Sequence, residues 1–150
     1  MNTDKIFMYT DGGSRGNPGP AGAGVYICNE KKDAVRTAKL FLGKVTNNEA
    51  EYQAVILGLE TLKKVFGKDK IKDLPVEIRM DSELICRQLK GEYQIKDDNL
   101  AKLFMKIWNA RVADFHNLSF VHIPREENHE ADKLANEAMD EGSNSQSGLF

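Results

Sequence analysis

The sequence predicts an α/β protein with a mixed five-stranded sheet and helices on both faces. Its first 45 residues hold three strand-like segments that only short turns separate, a pattern that favours an antiparallel meander. From residue 46 onward, helical and strand-like periodicities alternate, and strands separated by helices usually pair in parallel. The chain of 150 residues is long enough for one domain with its own core.

The meander comes first along the chain. Residues 5–11, 23–28 and 35–45 are rich in aromatic and β-branched side chains or alternate between apolar and polar ones, and each predicts a strand. We expect the first strand to end at Asp11. The stretch DGGSRGNPGPAGAG follows, in which a single acid precedes a run of glycines. The meander should form one edge of the sheet.

The remaining elements alternate helix and strand. Residues 46–66 repeat apolar side chains with a helical period, and Thr46 with Glu49 forms a capping-box signature. Strands are expected over residues 74–80 and 118–123, and helices over residues 82–89, 99–113 and 129–140. The predicted order is therefore β-β-β-α-β-α-α-β-α. The helix side chains predicted to face the core are Tyr52, Val55, Ile56, Leu59, Leu62, Phe66, Leu103, Ile107, Trp108, Ala110, Ala131, Leu134, Ala135 and Ala138.

Composition limits the function classes. Hydrophobic residues make up 41% of the chain and charged residues 29%, and no stretch is apolar for long enough to cross a bilayer. The net charge of -2 means that nucleic acid, if bound, must be held by local contacts rather than by a basic surface.

The sequence also gives expectations about location and organisation. The N-terminus lacks an apolar signal region, and Cys28 and Cys86 lack a C-x-x-C spacing, so we expect reduced thiols in a cytoplasmic protein. Residues 1–141 should form one domain, and residues 142–150, rich in Ser, Gly and Asn, a flexible tail. A monomer is the default expectation.

Four acids occupy positions that favour a shared site. Asp11 and Asp81 follow the first and fourth strands, and parallel strands would place both at the edge where open α/β sheets bind ligands. Glu51 lies beside the apolar stripe of the first helix, and Asp132 lies in the first turns of the last helix. Like charges gathered at one edge repel each other unless a cation lies between them.

Each acid also has a purely structural interpretation. Asp11 before two glycines is typical of a turn, and Asp81 followed by Ser82 is typical of a helix cap. Glu51 and Asp132 lie near helix N-termini, where acids interact favourably with the helix dipole. Spacing alone leaves both interpretations open.

Four motifs resemble those of the type 1 ribonuclease H family. YTDGGSRGNPGPAGAG contains Asp11, TNNEAEYQAVILGLE contains Glu51, MDSELICRQL contains Asp81 and PREENHEADKLANEA contains Asp132. The motifs follow the family's order and span residues 5–140. The resemblance implies a ribonuclease H-like fold, in which a three-stranded antiparallel meander and two parallel strands form the sheet.

The resemblance implies an endonuclease that hydrolyses the RNA strand of RNA–DNA hybrids and leaves 5′-phosphate and 3′-hydroxyl ends. It also implies two Mg²⁺ ions, for which Mn²⁺ can substitute, held by the four acids. Asp11 would bridge the ions, Glu51 and Asp81 would complete one site, and Asp132 would support the other. Mg²⁺ prefers oxygen ligands, and two such ions can clamp the attacking and leaving oxygens of an in-line displacement.

The resemblance further implies residues that contact the hybrid. They are Gly12, Gly13, Ser14, Asn17, Thr46, Asn47 and Asn48. Main-chain groups of the glycine-rich stretch are expected to read the RNA 2′-hydroxyl, which distinguishes RNA from DNA. The competing interpretation is local, with the glycines forming a tight turn and the polar residues capping it or the helix.

The sequence departs from the family pattern in two places. The loop HIPREENHEAD is short, so neither His122 nor His129 is a secure counterpart of the histidine that bacterial members carry there. Arg125 is an alternative electrostatic helper in that loop, and Glu127 or Asn128 could reach the second metal. The chain also lacks the basic, Trp-rich protrusion of many relatives, so it is a compact form of the family.

Two other functions stay open at this point. One is a hybrid- or RNA-binding module with weak or lost catalysis, against which the presence of all four acids argues. The other is a DNA-cutting nuclease of the same fold superfamily, against which the predicted 2′-hydroxyl-reading loop argues. A calcium loop over DGGSRGNPG is disfavoured, because the alternating acids of such loops are missing.

Overall fold

The computed structural model describes residues 4–147 of the chain. Its strands are β1 (Ile6–Ser14), β2 (Gly19–Asn29), β3 (Ala34–Val45), β4 (Val76–Met80) and β5 (Leu118–His122). They form one five-stranded sheet in the order β3-β2-β1-β4-β5. β1, β2 and β3 pair antiparallel, whereas β4 pairs in parallel with both β1 and β5. The predicted mixed sheet, with the meander at one edge, is confirmed.

The helices connect the strands in the predicted order, with two additions. They are α1 (Asn47–Phe66), α2 (Lys68–Ile71), α3 (Glu83–Leu89), α4 (Asp98–Ala113) and α5 (His129–Ser147), together with a 3₁₀ helix at Arg125–Glu127. Neither α2 nor the 3₁₀ helix is predicted from the sequence, because such short segments hold too few residues to show an apolar period.

The last helix is longer than predicted. α5 begins at His129 as expected but continues to Ser147, past the predicted end at residue 140. Residues 148–150 of the predicted flexible tail lie outside the described residues, and the tail's mobility stays a prediction.

The carboxyl end of β1 also differs from the prediction. β1 does not end at Asp11, because Gly12, Gly13 and Ser14 continue to pair with β2. The glycines indicate a turn in the sequence, but the structure uses them as strand residues. Pairing between β1 and β4 stops at Tyr9 and Arg79. Asp11 therefore lies beyond the parallel part of the sheet, at its open carboxyl edge.

α1 and α5 cover opposite faces of the sheet, since neighbouring residues of a strand face opposite sides. Met8 of β1 packs against Gly58 of α1. The packing is so close that a Cβ atom added to Gly58 would lie 2.5 Å from the Met8 sulfur. Gly24 of β2 contacts α5, because a Cβ atom there would lie 2.2 Å from the carbonyl oxygen of Ala131. Gly24 pairs with Asp11, so Asp11 faces α5.

The predicted apolar stripe of α1 is confirmed. Tyr52, Val55, Leu59 and Leu62 are buried against the sheet, and Ile56 and Phe66 pack against them. The predicted N-cap is also present, since Thr46 Oγ1 accepts a hydrogen bond of 3.2 Å from the backbone nitrogen of Glu49. A helix fixed at its start and along one face can hold a side chain of its first turns in a defined place.

One predicted core residue is wrong. Trp108 is 49% exposed and stacks on Phe104, while Ile107 is buried and Leu103 and Ala110 are partly buried. α4 packs against α1 rather than directly on the sheet, so only a narrow stripe of its side chains is buried. The buried face of α5 agrees better with the prediction, because Ala131, Ala135 and Ala138 are all buried.

Among the described residues, no helix is both long and apolar enough to cross a membrane.

Candidate active site

Asp11 and Asp81 meet at the carboxyl edge of the parallel strands. Asp11 lies in β1 just past the last residue that pairs with β4, and it is only 8% exposed. Asp81 directly follows Met80, the last residue of β4, and precedes α3. The predicted placement of both acids at one sheet edge is confirmed.

Glu51 reaches this edge because α1 packs on β1 at Gly12. A Cβ atom on Gly12 would lie 2.2 Å from the carbonyl carbon and oxygen of Ala50 and 2.5 Å from the nitrogen of Glu51. Only glycine permits an approach this close. The Gly12 N–H donates a hydrogen bond to the Glu51 carboxylate, so the same residue admits the helix and holds its acid.

Asp132 reaches the edge from the opposite face of the sheet. α5 packs closely on β2, because Gly22 and Gly24 leave room for the backbone of the helix. This approach brings Asp132, in the first turns of α5, within hydrogen-bonding reach of the Asp11 carboxyl. Asp132 is itself exposed, so it lies at the rim of the cluster.

The acids form one cluster. Asp11, Glu51 and Asp81 each offer a carboxylate oxygen, and these oxygens lie within 4.8 Å of one another. Burial, the charge of Asp81 and a hydrogen bond with Asp132 together raise the pKa of Asp11 from its ordinary value of 3.8 to about 8, and burial contributes most. Burial and the charges of Asp11 and Asp81 also raise the pKa of Glu51 well above its ordinary value.

The donor set fits a hard divalent cation. Carboxylate oxygens are the ligands that Mg²⁺ and Mn²⁺ prefer, whereas the group contains no His or Cys of the kind that favours zinc. A cation placed between the acids would offset the mutual repulsion that, together with burial, raises the pKa values of Asp11 and Glu51. The cluster can therefore act as a cation site whose occupancy competes with protons.

The acids line an open cavity of about 510 Å³ at this edge. Five of the predicted substrate-binding residues also line it, namely Gly12, Gly13, Ser14, Asn47 and Asn48. The cavity is open to solvent beside the backbone of the β1–β2 hairpin and the first turn of α1. A strand of nucleic acid could therefore reach the acids from outside.

Asn17 and Thr46 do not line this cavity in the part of the chain that the structure describes. Asn17 Oδ1 accepts a hydrogen bond of 3.0 Å from the backbone nitrogen of Asn47, and Thr46 caps α1. Asn47 Oδ1 in turn accepts a hydrogen bond of 2.9 Å from the backbone nitrogen of Ser14. These contacts join the hairpin to the start of α1, which is the local interpretation that the sequence left open.

Two arginines supply positive charge at the cavity. Arg15 lines it from the hairpin, and its Nη1 lies 2.6 Å from an oxygen of Asp140 on α5. Arg125 lines it from the loop before α5, one of the positions that the sequence analysis considers. Arg15 is not among the residues predicted from the sequence, although a cation four residues after Asp11 in a glycine-rich hairpin is a usable signal.

The histidines are placed away from the acids. His122 is exposed at the end of β5, and His129 lines a second cavity of about 420 Å³ together with Glu127, Tyr9 and Tyr26. Neither histidine is among the residues that line the acidic cavity in the described chain. Asn128 contacts Asp81 directly, as described below.

The close approach at Gly12 gives a testable prediction. We expect Gly12→Ala to lower the free energy of unfolding by roughly 1–3 kcal/mol or more, because the new methyl group would overlap the backbone of α1. Gly13→Ala is the matched control, since its Cβ atom would lie 3.9 Å from the nearest atom, Met139 Cε. Urea unfolding measures both variants. Equal stability of the two variants would contradict the packing described for Gly12.

Comparison with known proteins places the chain among ribonucleases H. A protein-family model described as Reverse transcriptase-like matches residues 9–138. Ribonuclease HI of Halobacterium salinarum is 38% identical over 137 residues, which cover 91% of this chain and 65% of that protein. Bifunctional protein Rv2228c of Mycobacterium tuberculosis is 36% identical over 137 residues. The chain spans only 36% of that relative's length.

Solved structures give the same result. LC11-RNase H1, isolated from compost by a metagenomic approach, has a TM-score of 0.88 and 52% identity, covering 92% of this chain and 97% of that one. LC11-RNase H1 has also been solved in complex with an RNA/DNA hybrid, at 51% identity. RNase H1 of Halobacterium salinarum has a TM-score of 0.82 and 37% identity, covering 91% and 98% of the two chains.

Proposed function

This chain belongs to the type 1 ribonuclease H family, and on that premise we propose that it is an endonuclease hydrolysing the RNA strand of RNA–DNA hybrids. The proposal depends on one observation: carboxylate oxygens of Asp11, Glu51 and Asp81 lie within 4.8 Å of one another, and Asp132 lies beside Asp11. The products are 5′-phosphate and 3′-hydroxyl ends. The hybrid bound by LC11-RNase H1 supports the same substrate for this chain.

We assign the acid cluster to two Mg²⁺ ions, for which Mn²⁺ can substitute. When bound, the two ions supply activation of a water molecule and stabilisation of the charge on the departing 3′ oxygen. Asp11 is near each of the other three acids, so we assign it to hold both ions. Glu51 and Asp81 complete one site, and Asp132 at the rim supports the other.

The residues of the chain position the acids before any substrate arrives. The packing of α1 at Gly12 fixes Glu51, and the packing of α5 at Gly24 places Asp132. The fixed positions supply the proximity on which a two-metal reaction depends. Because Asp11 is buried, its interaction with a bound cation is weakened little by water.

Selectivity for RNA is assigned to the hairpin and the start of α1. Gly13, Ser14, Asn47 and Asn48 line the cavity, where they can contact the sugar edge of a bound strand. The N–H groups of Gly12 and Ser14 already donate within the chain, to Glu51 and Asn47. Recognition of the 2′-hydroxyl, which both donates and accepts, therefore falls to the other groups of this set.

Arg15 and Arg125 are assigned to the phosphates of the bound strand. Both are exposed enough to exchange partners, and both lie at the cavity that holds the acids. An arginine can bind a phosphate through two parallel hydrogen bonds. With a net charge of -2, the protein depends on such local cations to hold a polyanion.

We also propose that the protein acts as a cytoplasmic monomer. The acids of the site all come from one chain, so the cavity does not need a second copy. Cys28 and Cys86 are both free and buried, which suits a reducing compartment.

One cleavage assay tests the function. Labelled RNA–DNA hybrid, all-DNA duplex and all-RNA duplex of one sequence are incubated with the protein in Mg²⁺, and in parallel with a chelator. We expect cleavage of the hybrid's RNA strand alone, only with the metal, and products that carry 5′-phosphates. Binding of the hybrid without cleavage would indicate a binding module, and cleavage of the all-DNA duplex would indicate a DNA-cutting nuclease. Either result would overturn the proposal.

A further inference from the structure

Asn128 is a buried polar side chain that none of the assignments above uses. It lies between the 3₁₀ helix and α5, and it is 1% exposed. A buried amide is costly unless it is hydrogen-bonded. Its Nδ2 donates to the carbonyl oxygen of Thr10 at 2.9 Å and to Oδ2 of Asp81 at 3.0 Å. The two hydrogens of the amide nitrogen are therefore both used.

The contacts of Asn128 reach three of the four acids. Thr10 immediately precedes Asp11 in β1, so the bond to its carbonyl fixes the backbone that carries Asp11. The bond to Asp81 is direct. The backbone carbonyl of Asn128 accepts a hydrogen bond of 3.1 Å from the nitrogen of Asp132, in the first turn of α5. One residue thus joins the part of β1 that precedes Asp11, the residue that follows β4 and the start of α5.

The chemistry of the two partners requires an amide in this orientation. A carbonyl oxygen and a carboxylate oxygen are both acceptors, so the group between them must donate twice. Turning the amide of Asn128 over would set its oxygen against both acceptors, which fixes the assignment of nitrogen and oxygen. The Asn128 oxygen and the Thr10 hydroxyl are buried and have no partner among the described residues. All the side-chain hydrogen bonds of Asn128 among the described residues are therefore donated by its Nδ2.

We infer that Asn128 is a positioning residue of the metal site, acting chiefly through Asp81. It anchors one oxygen of the Asp81 carboxylate and so sets the plane in which the carboxylate faces Asp11 and Glu51. Partners that orient metal-binding carboxylates typically change metal affinity or activity by roughly 10- to 100-fold when removed. The inference rests on the proposed metal-dependent function, and it extends that function to a residue outside the acid cluster.

The test measures Mn²⁺ binding in the absence of nucleic acid, by titration calorimetry or by the paramagnetic resonance signal of free Mn²⁺. Asn128→Leu keeps the shape of the side chain and removes both donors. We expect it to weaken Mn²⁺ binding by roughly 10- to 100-fold while far-UV circular dichroism and cooperative melting are retained. Asn109→Leu, on the exposed face of α4, is the matched control and should bind Mn²⁺ as the parent protein does.

A double-mutant cycle separates positioning from general structural damage. If Asn128 acts through Asp81, Asn128→Leu should have less than about a threefold effect on Mn²⁺ binding in an Asp81→Asn background. Unchanged Mn²⁺ affinity in folded Asn128→Leu protein would overturn the inference, and so would an equal loss in both backgrounds.

A second variant allows the Mn²⁺ measurement to be made if Asn128→Leu does not fold. Asn128→Ser retains one donor and should give an intermediate Mn²⁺ affinity if Asn128→Leu is unstable. If neither variant folds, Asn128 is a folding determinant and the inference is wrong. These measurements need no cleavage, so a parent protein that binds Mn²⁺ but does not cut the hybrid would refute the proposed function and leave the inference about Asn128 standing.

Discussion

Replacing Asp11 with asparagine is expected to lower the rate of hybrid cleavage by roughly 10³-fold or more. A bound metal ion supplies several kcal/mol of transition-state stabilisation, and each 1.36 kcal/mol corresponds to a factor of ten in rate. Asp11 is the acid near all three others, so its loss affects both proposed ions. Asparagine keeps the size of the side chain but removes the charge that a cation requires.

The measurement is single-turnover cleavage of a labelled hybrid at saturating protein and Mg²⁺. Asp69→Asn, at an exposed position of the short helix α2, is the matched control and should cut at the parent rate. Circular dichroism verifies that the Asp11 variant is folded. If a folded Asp11→Asn protein cuts the hybrid within tenfold of the parent rate, Asp11 is not a catalytic residue.

The same substitution is expected to stabilise the metal-free protein at alkaline pH. Asp11 has a pKa of about 8 in the folded chain and an ordinary value of 3.8, so between these values the folded state binds more protons than the unfolded state. The free energy of unfolding should therefore fall as the pH rises from about 4 to 8 in chelator. Asp11→Asn removes this contribution, and its advantage over the parent should grow across the same window.

A divalent cation should restore the free energy of unfolding that the parent protein loses as the pH rises. A cation that binds only the folded state adds about 2.7 kcal/mol at a concentration one hundred times its dissociation constant. Each kcal/mol raises the melting temperature by about 2–4 °C for chains of this size. Because protons and cations compete for the same carboxylates, the gain from Mn²⁺ should increase with pH in the parent and be small in Asp11→Asn.

Thermal melts from pH 5 to 9, in chelator and in Mn²⁺, measure all four combinations of protein and metal. If the melting temperatures of the parent and Asp11→Asn proteins change in parallel with pH in chelator, the pKa of Asp11 is not raised in the folded chain. An equal response of both proteins to Mn²⁺ would place cation binding elsewhere on the chain.

Local sequence pattern was sufficient to predict the elements on which the four acids lie. Asp11 and Asp81 adjoin strands that can be recognised by composition, and Glu51 and Asp132 adjoin apolar helix stripes. The parallel pairing of β1 with β4, which brings the acids together, follows from the alternation of strands and helices. Family resemblance then selected these acids over others such as Glu49, whose backbone nitrogen the structure finds bonded to Thr46.

The glycines could not be interpreted from the sequence in the same way. Gly12 looks like a turn residue but lies in β1, and Gly24 lies in a strand as predicted. Local pattern does not show that both glycines admit the backbones of helices. A close approach of this kind joins segments distant in sequence, so no local pattern encodes it. The exposure of Trp108 was missed for a related reason, since it depends on α4 packing against another helix and not against the sheet.

The supporting contacts around the acids were also beyond local reasoning. Asn128 was considered only as a residue that might reach a metal, whereas its amide bonds to Asp81 across 47 positions of the sequence. The contact between Arg15 and Asp140 joins residues at opposite ends of the chain. Such partners are fixed by tertiary packing, which the order of residues does not display.

The most direct test of the site is the position of bound cations. Crystals of the parent protein soaked in Mn²⁺ would give anomalous scattering peaks at the ion positions. We predict a peak within coordination distance of carboxylate oxygens from Asp11, Glu51 and Asp81. An occupied Mn²⁺ site elsewhere on the protein, with no peak among these three acids at saturating Mn²⁺, would contradict the assignment of the cluster as a metal site.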